Sequence, residues 1–354
     1  MIKKTNSIVE VDLSKLKNNL QVLLSNLDAD TEVMAVVKAD GYGHGAVEVA
    51  STLEPEVDAF AVNDLNEGIQ LRKQGVAKPI LVFEVPEKST ATQYRVHNLT
   101  ATISAQEHFD WLPNGTSYHL NFDTGMGRMG FRPEEAQRIS KIVKDYDNLF
   151  CTGIYSHFAT ADQPGSNFVS EQQKLFEQVI GYFPSELTTH VANTGASAFY
   201  SNNSFDMVRL GIGLYGYPPG ETSIEGLAPI MQWKTRLVQI KSIVANTPVS
   251  YGATWKAPMD GYLGIIPVGY DDGLKRGLSG NVQIQINGSR YPLVGKVTMN
   301  YSMVFLGKDQ FKPGTRVDLF YSDSDAWDWA SKIDTIAYEI LTSVNTKIPR
   351  EYIL

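Results

Sequence analysis

A single cysteine, Cys151, serves the whole 354-residue chain, which excludes an internal disulfide and points to a reducing compartment. No apolar run approaches the length of a membrane span, so no membrane partner is expected. Residues 1–6 carry Lys3 and Lys4 without an apolar segment behind them, and a cytoplasmic location is the expectation. The formal net charge is -8 and no long basic run occurs, which argues against nucleic acid or an anionic surface as partner. No segment joins G-x-G-x-x-G to an acidic residue about twenty positions on, so a dinucleotide is not expected. Internal repeats and low-complexity tracts are absent, and no metal is expected. What remains is 43% hydrophobic and 20% charged, ordinary for a globular chain long enough for two domains.

The rest is organised around Val33–Gly45. Val33, Met34, Ala35, Val36 and Val37 read as a strand buried on both faces, and Lys38 closes it. Gly41, Gly43 and Gly45 follow, and a helical pattern begins at Ala46. A lysine ending a buried strand can lose part of its hydration, which lowers the amine pKa and exposes the lone pair a Schiff base needs. On these residues alone it can equally cap a strand in water.

A first strand at 8–11 precedes a helix that Ser14 can cap, with Leu16, Leu20, Leu23 and Leu24 on its apolar face. Strand-like runs then recur at 33–38, 59–63, 80–85, 100–104, 117–123, 152–158, 188–193 and 206–210, with helical patterns such as 133–145 and 168–182 between them. The patterns near 88–97 and 106–112 are short. Strand–helix alternation implies a parallel sheet, and eight units in roughly 200 residues suggest an α/β fold of the closed (β/α)8 TIM type. Periodicity alone also admits an open doubly wound sheet. The barrel is assigned to residues 1–228, with the first strand, about 7–12, free to pack with the C-terminal domain instead.

A barrel puts chemistry where its strands end and phosphate after the seventh and eighth. Lys38 ends the first strand, Asp123–Arg128 follows the fifth, Ser156 and His157 end the sixth, and Asn193, Thr194 and Gly195 leave the seventh. The eighth yields Arg209, then Gly211, Ile212 and Gly213. Singly, each has an ordinary role: Arg128 in a surface ion pair, His157 in the core, Asn193 and Thr194 in a turn, the glycines in a bulge. Their shared rim is what counts. A helix opening at Thr194, with backbone N–H groups bared by Gly211 and Gly213, can cradle a phosphate that Tyr42 reaches from the first loop. One phosphate held across from a lysine fits pyridoxal phosphate.

From 229 to 354 the pattern changes to period two, at 235–244, 262–266, 282–286 and 317–321, with Asn287-Gly288 as a hairpin signal and a helix expected at 325–342. This reads as a mostly antiparallel β domain. Tyr251 precedes Gly252, and 267–273 packs Gly269, Tyr270, Asp271, Asp272 and Gly273 together. Unaided, both segments read as turns with half-buried aromatics.

Together, Val36–Gly45, Asp123–Gly130, Ser156–Asp162, His190–Thr194, Val208–Ile212, Ser250–Thr254 and Gly269–Gly273 resemble the alanine racemases, a family that binds pyridoxal 5'-phosphate with an N-terminal barrel and a C-terminal β domain. The resemblance runs almost end to end. It implies that Lys38 carries the cofactor and exchanges the proton on one face of Cα, while Tyr251 of the other subunit of a homodimer serves the opposite face. Inversion by proton transfer needs a group on each side of a planar carbon. It further implies that Arg209 contacts the pyridine nitrogen, and that His190 and Arg209 connect to Tyr251 by hydrogen bonds. Arg128 would meet the phenolic oxygen and the substrate carboxylate, and His157 the ring. Tyr42, Thr194, Gly211 and Ile212 match phosphate contacts beside Asn193, and Tyr270 and Met299 match substrate contacts.

Three positions depart from the family pattern. Asn121 replaces a lysine that many members carbamylate to orient the arginine, which leaves Arg128 to be held otherwise, a chloride being one means. Met299-Asn300 replaces a Met-Asp pair. Thr346 replaces a tyrosine, leaving room for a side chain larger than methyl. The implied function is racemisation of alanine for wall peptidoglycan, with serine or a broader range as the alternative. Barrel-type decarboxylases of the same cofactor use a cysteine in the second domain, where this chain has none. Non-catalytic barrel proteins that carry the cofactor lack the β domain altogether.

Overall fold

The computed structural model describes residues 6–200, 205–322 and 325–354. Strand β1 (Ile8–Asp12) runs directly into helix α1 (Leu13–Leu24). Leu16, Leu20 and Leu23 are buried on its inner face. Ser14 does not cap it: the helix already begins at Leu13, and the Ser14 hydroxyl donates to Asp12 Oδ1 at 2.6 Å.

Eight parallel strands follow: β2 (Glu32–Val36), β3 (Ala59–Val62), β4 (Ile80–Val82), β5 (Ala101–Ile103), β6 (Ser117–Asn121), β7 (Phe150–Tyr155), β8 (Thr188–His190) and β9 (Met207–Leu210). Most are shorter than their apolar runs, because the residues past each strand end turn into the loops that carry polar groups. Two ladders form, β4-β3-β2-β9 and β5-β6-β7-β8. Parallel bridges Leu81–Thr100 and Asn193–Arg209 join them at both seams, so the sheet closes and the open alternative is excluded. Residues on both faces of the sheet, among them Ala35, Phe60, Ala61, Leu120 and Ile154, are buried, as a fully covered parallel sheet requires.

The chain divides into two compact units, one of Lys15–Gly41 with Gly45–Ala228, the other of the described part of residues 1–14, Tyr42–His44 and Pro229–Leu354. The second unit holds β10 (Met231–Arg236), β11 (Gln239–Ile243), β12 (Pro248–Val249), β13 (Trp255–Lys256), β14 (Gly261–Ile266), β15 (Gln283–Ile286), β16 (Ser289–Val294), β17 (Ser302–Gly307), β18 (Arg316–Asp318) and β19 (Arg350–Ile353). Nine of its strands form one sheet, ordered β11-β14-β17-β16-β15-β18-β10-β1-β19. All pairs are antiparallel except β1 with β19. The run at 235–244 breaks at Leu237 into two strands, and the helix expected at 325–342 is two, Ala326–Ser331 and Ala337–Ser343. Asn287 and Gly288, at φ 50° and 83°, make the two-residue hairpin. Phe320 packs edge to face on both Trp233 and Trp329, which are tilted against each other, with centroids 4.7 to 6.1 Å apart.

Candidate active site

Strand β2 stops at Val36, so Lys38 stands two residues beyond it, at the head of a turn. There Ala39, Asp40, Gly41 and Tyr42 lie at φ 53°, 53°, 60° and 53°. Four consecutive left-handed residues, three of them not glycine, are costly and persist only where their surroundings hold them. Gly41 N–H donates to Val37 O at 2.8 Å, and Asp40 Oδ1 accepts from Ala46 N–H at 3.0 Å. Glu67, which the sequence did not single out, accepts from the N–H groups of Asp40 (3.2 Å) and Asn63 (2.8 Å). The Lys38 amine sits 5.9 Å from the centre of the Phe83 ring. Burial lowers its pKa and the Arg128 and Arg209 charges add to that, while Glu67 opposes. The side chain is half-buried.

Arg209 is the most enclosed charge of this unit. Nη1 donates to His190 Nδ1 at 2.7 Å and to the His190 carbonyl at 3.0 Å. Nη2 faces Ser156 O, His157 Nδ1 and Val191 O at 2.8, 3.1 and 3.1 Å. The Tyr155 ring lies 5.5 Å from its guanidinium carbon. No carboxylate joins it among these partners, and burial pulls its pKa down to about 10, leaving it charged at neutral pH. All these bonds use the terminal nitrogens; Nε makes none among the described residues.

His190 is wedged between Arg209 and His119, whose Nδ1 is 2.8 Å from His190 Nε2. Tyr155 stacks on the His190 ring at 5.0 Å and 6°. Its hydroxyl lies 3.1 Å from Thr102 Oγ1, which itself donates to Val82 O at 2.6 Å, so the phenol is the donor. Both ring nitrogens of His190 are therefore taken within the barrel, and His157 Nδ1 meets the same guanidinium, with the Lys38 charge also acting on its ring. His119, Tyr155 and Thr102 were missed in the sequence, where they read as interior strand residues.

Arg128 rides on a loop pinned by one carboxylate: Asp123 accepts from the N–H groups of Gly125, Gly127 and Arg128 at 3.0, 3.0 and 2.9 Å. Asn121 does not reach Arg128 here. Its amide donates to Ser104 Oγ at 3.3 Å and Met129 O at 3.0 Å, fixing the loop one residue later. Gln172, on the buried stripe of helix Asn167–Ile180, ties two loops together. It donates to His157 O at 2.9 Å and Thr124 Oγ1 at 3.4 Å and accepts from Ala159 N–H at 2.8 Å. A polar residue at a core position of that stripe was the available signal. Gln172→Leu is expected to lower stability by about 1–3 kcal/mol through the orphaned groups, read by urea titration, and to reduce activity as His157 loosens.

Asn193 caps helix Thr194–Phe199, its side chain accepting from Ala196 N–H at 3.0 Å. The sequence expected a bared Gly211 N–H; instead it donates to Thr194 Oγ1 at 3.0 Å. Gly213 serves packing, since a Cβ there would lie 2.7 Å from Thr194 Cγ2. Ile212 is buried beside them.

In the second unit, Tyr42 is buried and tilted on Tyr338 at 5.9 Å. Arg350 gives Nε and Nη2 to the Gly43 carbonyl at 3.1 and 2.9 Å. Tyr251 occupies the turn between β12 and β13 and is 71% exposed. Tyr270 and Met299 are exposed close to one another: Asp271 N–H donates to Met299 O at 3.0 Å, and a Cβ on Gly269 would lie 2.2 Å from Thr298 O. Asn345 N–H donates to Asp272 O at 3.1 Å, which brings the exposed Thr346 segment to the same turn. Asn300 is exposed beside Met299.

A closed parallel barrel whose rim brings together a half-buried lysine, a buried arginine and imidazoles has the layout of a barrel enzyme. Residues 11–219 match the alanine racemase N-terminal domain and 230–352 the alanine racemase C-terminal domain. The chain belongs to the alanine racemase family. It is 35% identical to alanine racemase 2 of Bacillus subtilis (strain 168), over 98% of this chain and 94% of that one. Among solved structures, an alanine racemase of Clostridium difficile 630 superposes with a TM-score of 0.94 at 30% identity, covering 99% of this chain and 96% of that one. A histidine racemase of Leuconostoc mesenteroides subsp. sake superposes with a TM-score of 0.91 at 29% identity, with 99% of each chain covered.

Proposed function

We propose that the protein is an isomerase that interconverts L- and D-alanine with pyridoxal phosphate on Lys38, using Lys38 and the partner subunit's Tyr251 as the two proton-transfer groups. The observation that carries this is the excess of positive charge around a half-buried amine: Arg128 and Arg209 both act on Lys38, and Glu67 opposes them only in part. Such a donor set fits a group bearing a phosphate and a phenolic oxygen. Lys38 would hold it, with Arg209 Nε toward the ring nitrogen, Arg128 toward the phenolic oxygen, His157 beside the ring, and Tyr42, Asn193, Thr194, Gly211 and Ile212 around the phosphate. When bound, the cofactor supplies an electron-accepting ring that acidifies the substrate Cα–H.

The side chains account for the rest. The lowered pKa keeps more of the Lys38 amine neutral, able to take a proton at Nζ. Arg209 does not surrender its proton at neutral pH, so an acceptor facing it stays unprotonated and side reactions that need a stronger electron sink are restrained. Neutral His157 orders the face between arginine and lysine without adding charge. A barrel in residues 1–228, apart from β1, would carry the cofactor and residues 229–354 the tyrosine, in a cytoplasmic homodimer feeding peptidoglycan synthesis. A second reading, a racemase accepting serine or larger side chains, is favoured by the exposed Thr346 and by the likeness to a histidine racemase.

Purified protein is incubated with L-alanine, L-serine and L-histidine in turn, and enantiomer composition is followed by chiral chromatography. Rapid racemisation of alanine, abolished in Lys38→Ala and Tyr251→Phe, is expected. Full activity in either variant overturns the two-base assignment, and a clear preference for serine or histidine moves the function to the second reading.

A further inference from the structure

The pair His190–His119 continues inward from Arg209, away from the rim. A guanidinium has donors only, so His190 Nδ1, 2.7 Å from Nη1, must accept. A neutral imidazole with Nδ1 accepting carries its hydrogen on Nε2, and that N–H needs an acceptor. His119 Nδ1, at 2.8 Å, is the group in reach. His119 then carries its own hydrogen on Nε2. We propose that His119 is a positioning residue of the reaction: by accepting from His190 Nε2–H it locks His190 into the one tautomer that can hold Arg209.

Two further observations support the assignment. Gly153 on the neighbouring strand leaves the imidazole its place, since a Cβ there would lie 2.8 Å from both Cε1 and Nε2 of His119. The ring also lines a cavity of about 350 Å³ at the N-terminal mouth of the barrel, beside Glu32, Asp58, Ser117 and Thr188, where acceptors for the Nε2 hydrogen are at hand. Charge runs the same way. Burial and the Arg209 field hold both imidazoles neutral, His119 down to about 3, so a doubly protonated ring facing a donor does not arise at neutral pH.

The proposal rests on Arg209 facing the cofactor, but its test separates the two ideas. Holoenzyme labelled with ¹⁵N-histidine has six histidines to assign. Nδ1 of both His119 and His190 is expected to be unprotonated and Nε2 protonated, whatever the enzyme's substrate. His119→Leu removes the acceptor, whereas His119→Asn keeps an oxygen where Nδ1 was. The leucine variant is expected to lose about 10- to 100-fold in kcat with KM for alanine little changed, to mix the His190 tautomers, and to transaminate more often per turnover. The asparagine variant recovers most of each. A proton on His119 Nδ1 in the wild type overturns the proposal even if no variant folds, as does a leucine variant with an unchanged His190 spectrum. A wild type with the expected tautomers but no racemase activity leaves this pairing standing and rejects the proposed function instead.

Discussion

On acidification from pH 6.5 to 4.5 the protein is expected to lose stability at a slope that steepens from about 2 to about 4 kcal/mol per pH unit from three imidazoles alone. His119, His157 and His190 are held neutral in the fold, first by burial and then by the Arg209 charge. In the unfolded chain each titrates near pH 6.5, at about 1.4 kcal/mol per proton and pH unit. Below that pH the unfolded chain binds three protons that the folded chain refuses, so unfolding is favoured as pH falls and stability returns as it rises. Urea titrations across this range measure the slope, and His119→Asn should reduce it by about one third. A slope unchanged in that variant would show the imidazole already charged in the fold.

Arg209→Met is expected to cost about 3–5 kcal/mol of stability and at least about 10²-fold in activity. Methionine fills a similar volume but abandons five acceptors at once: His190 Nδ1 and O, Ser156 O, His157 Nδ1 and Val191 O. Buried acceptors left bare bear their full desolvation cost. Arg209→Lys keeps the charge and is still expected to fail, because one ammonium cannot replace a planar fork that spans both imidazoles. Thermal unfolding and turnover number read the two losses separately. A lysine variant with wild-type turnover would mean that charge alone is required at this position.

Legibility followed physical range. The eight strands showed in the sequence because each is a short apolar run buried on both faces, and the hairpin at 287–288 because its turn type demands those two residues. The lysine showed because a charge after a buried run is conspicuous. What failed to show depends on tertiary partners. Nothing local distinguishes His119 or Thr102 from core residues, or announces that Ala39 and Asp40 take left-handed angles. Glu67 sits in the first turn of a surface helix, where acidic residues are common. Gly211 read as a bared donor because its acceptor, Thr194, lies seventeen positions earlier in the chain.

The placement of β1 bears on how the enzyme is made. β1 pairs with β10 and with β19, strands that lie far later in the chain. The carbonyl of Gly43, five residues past the lysine, likewise waits for Arg350. A nascent chain therefore cannot complete either end of this sheet early, and any translation product cut short of residue 350 leaves its N-terminal strand with an open edge for chaperones or proteases to find.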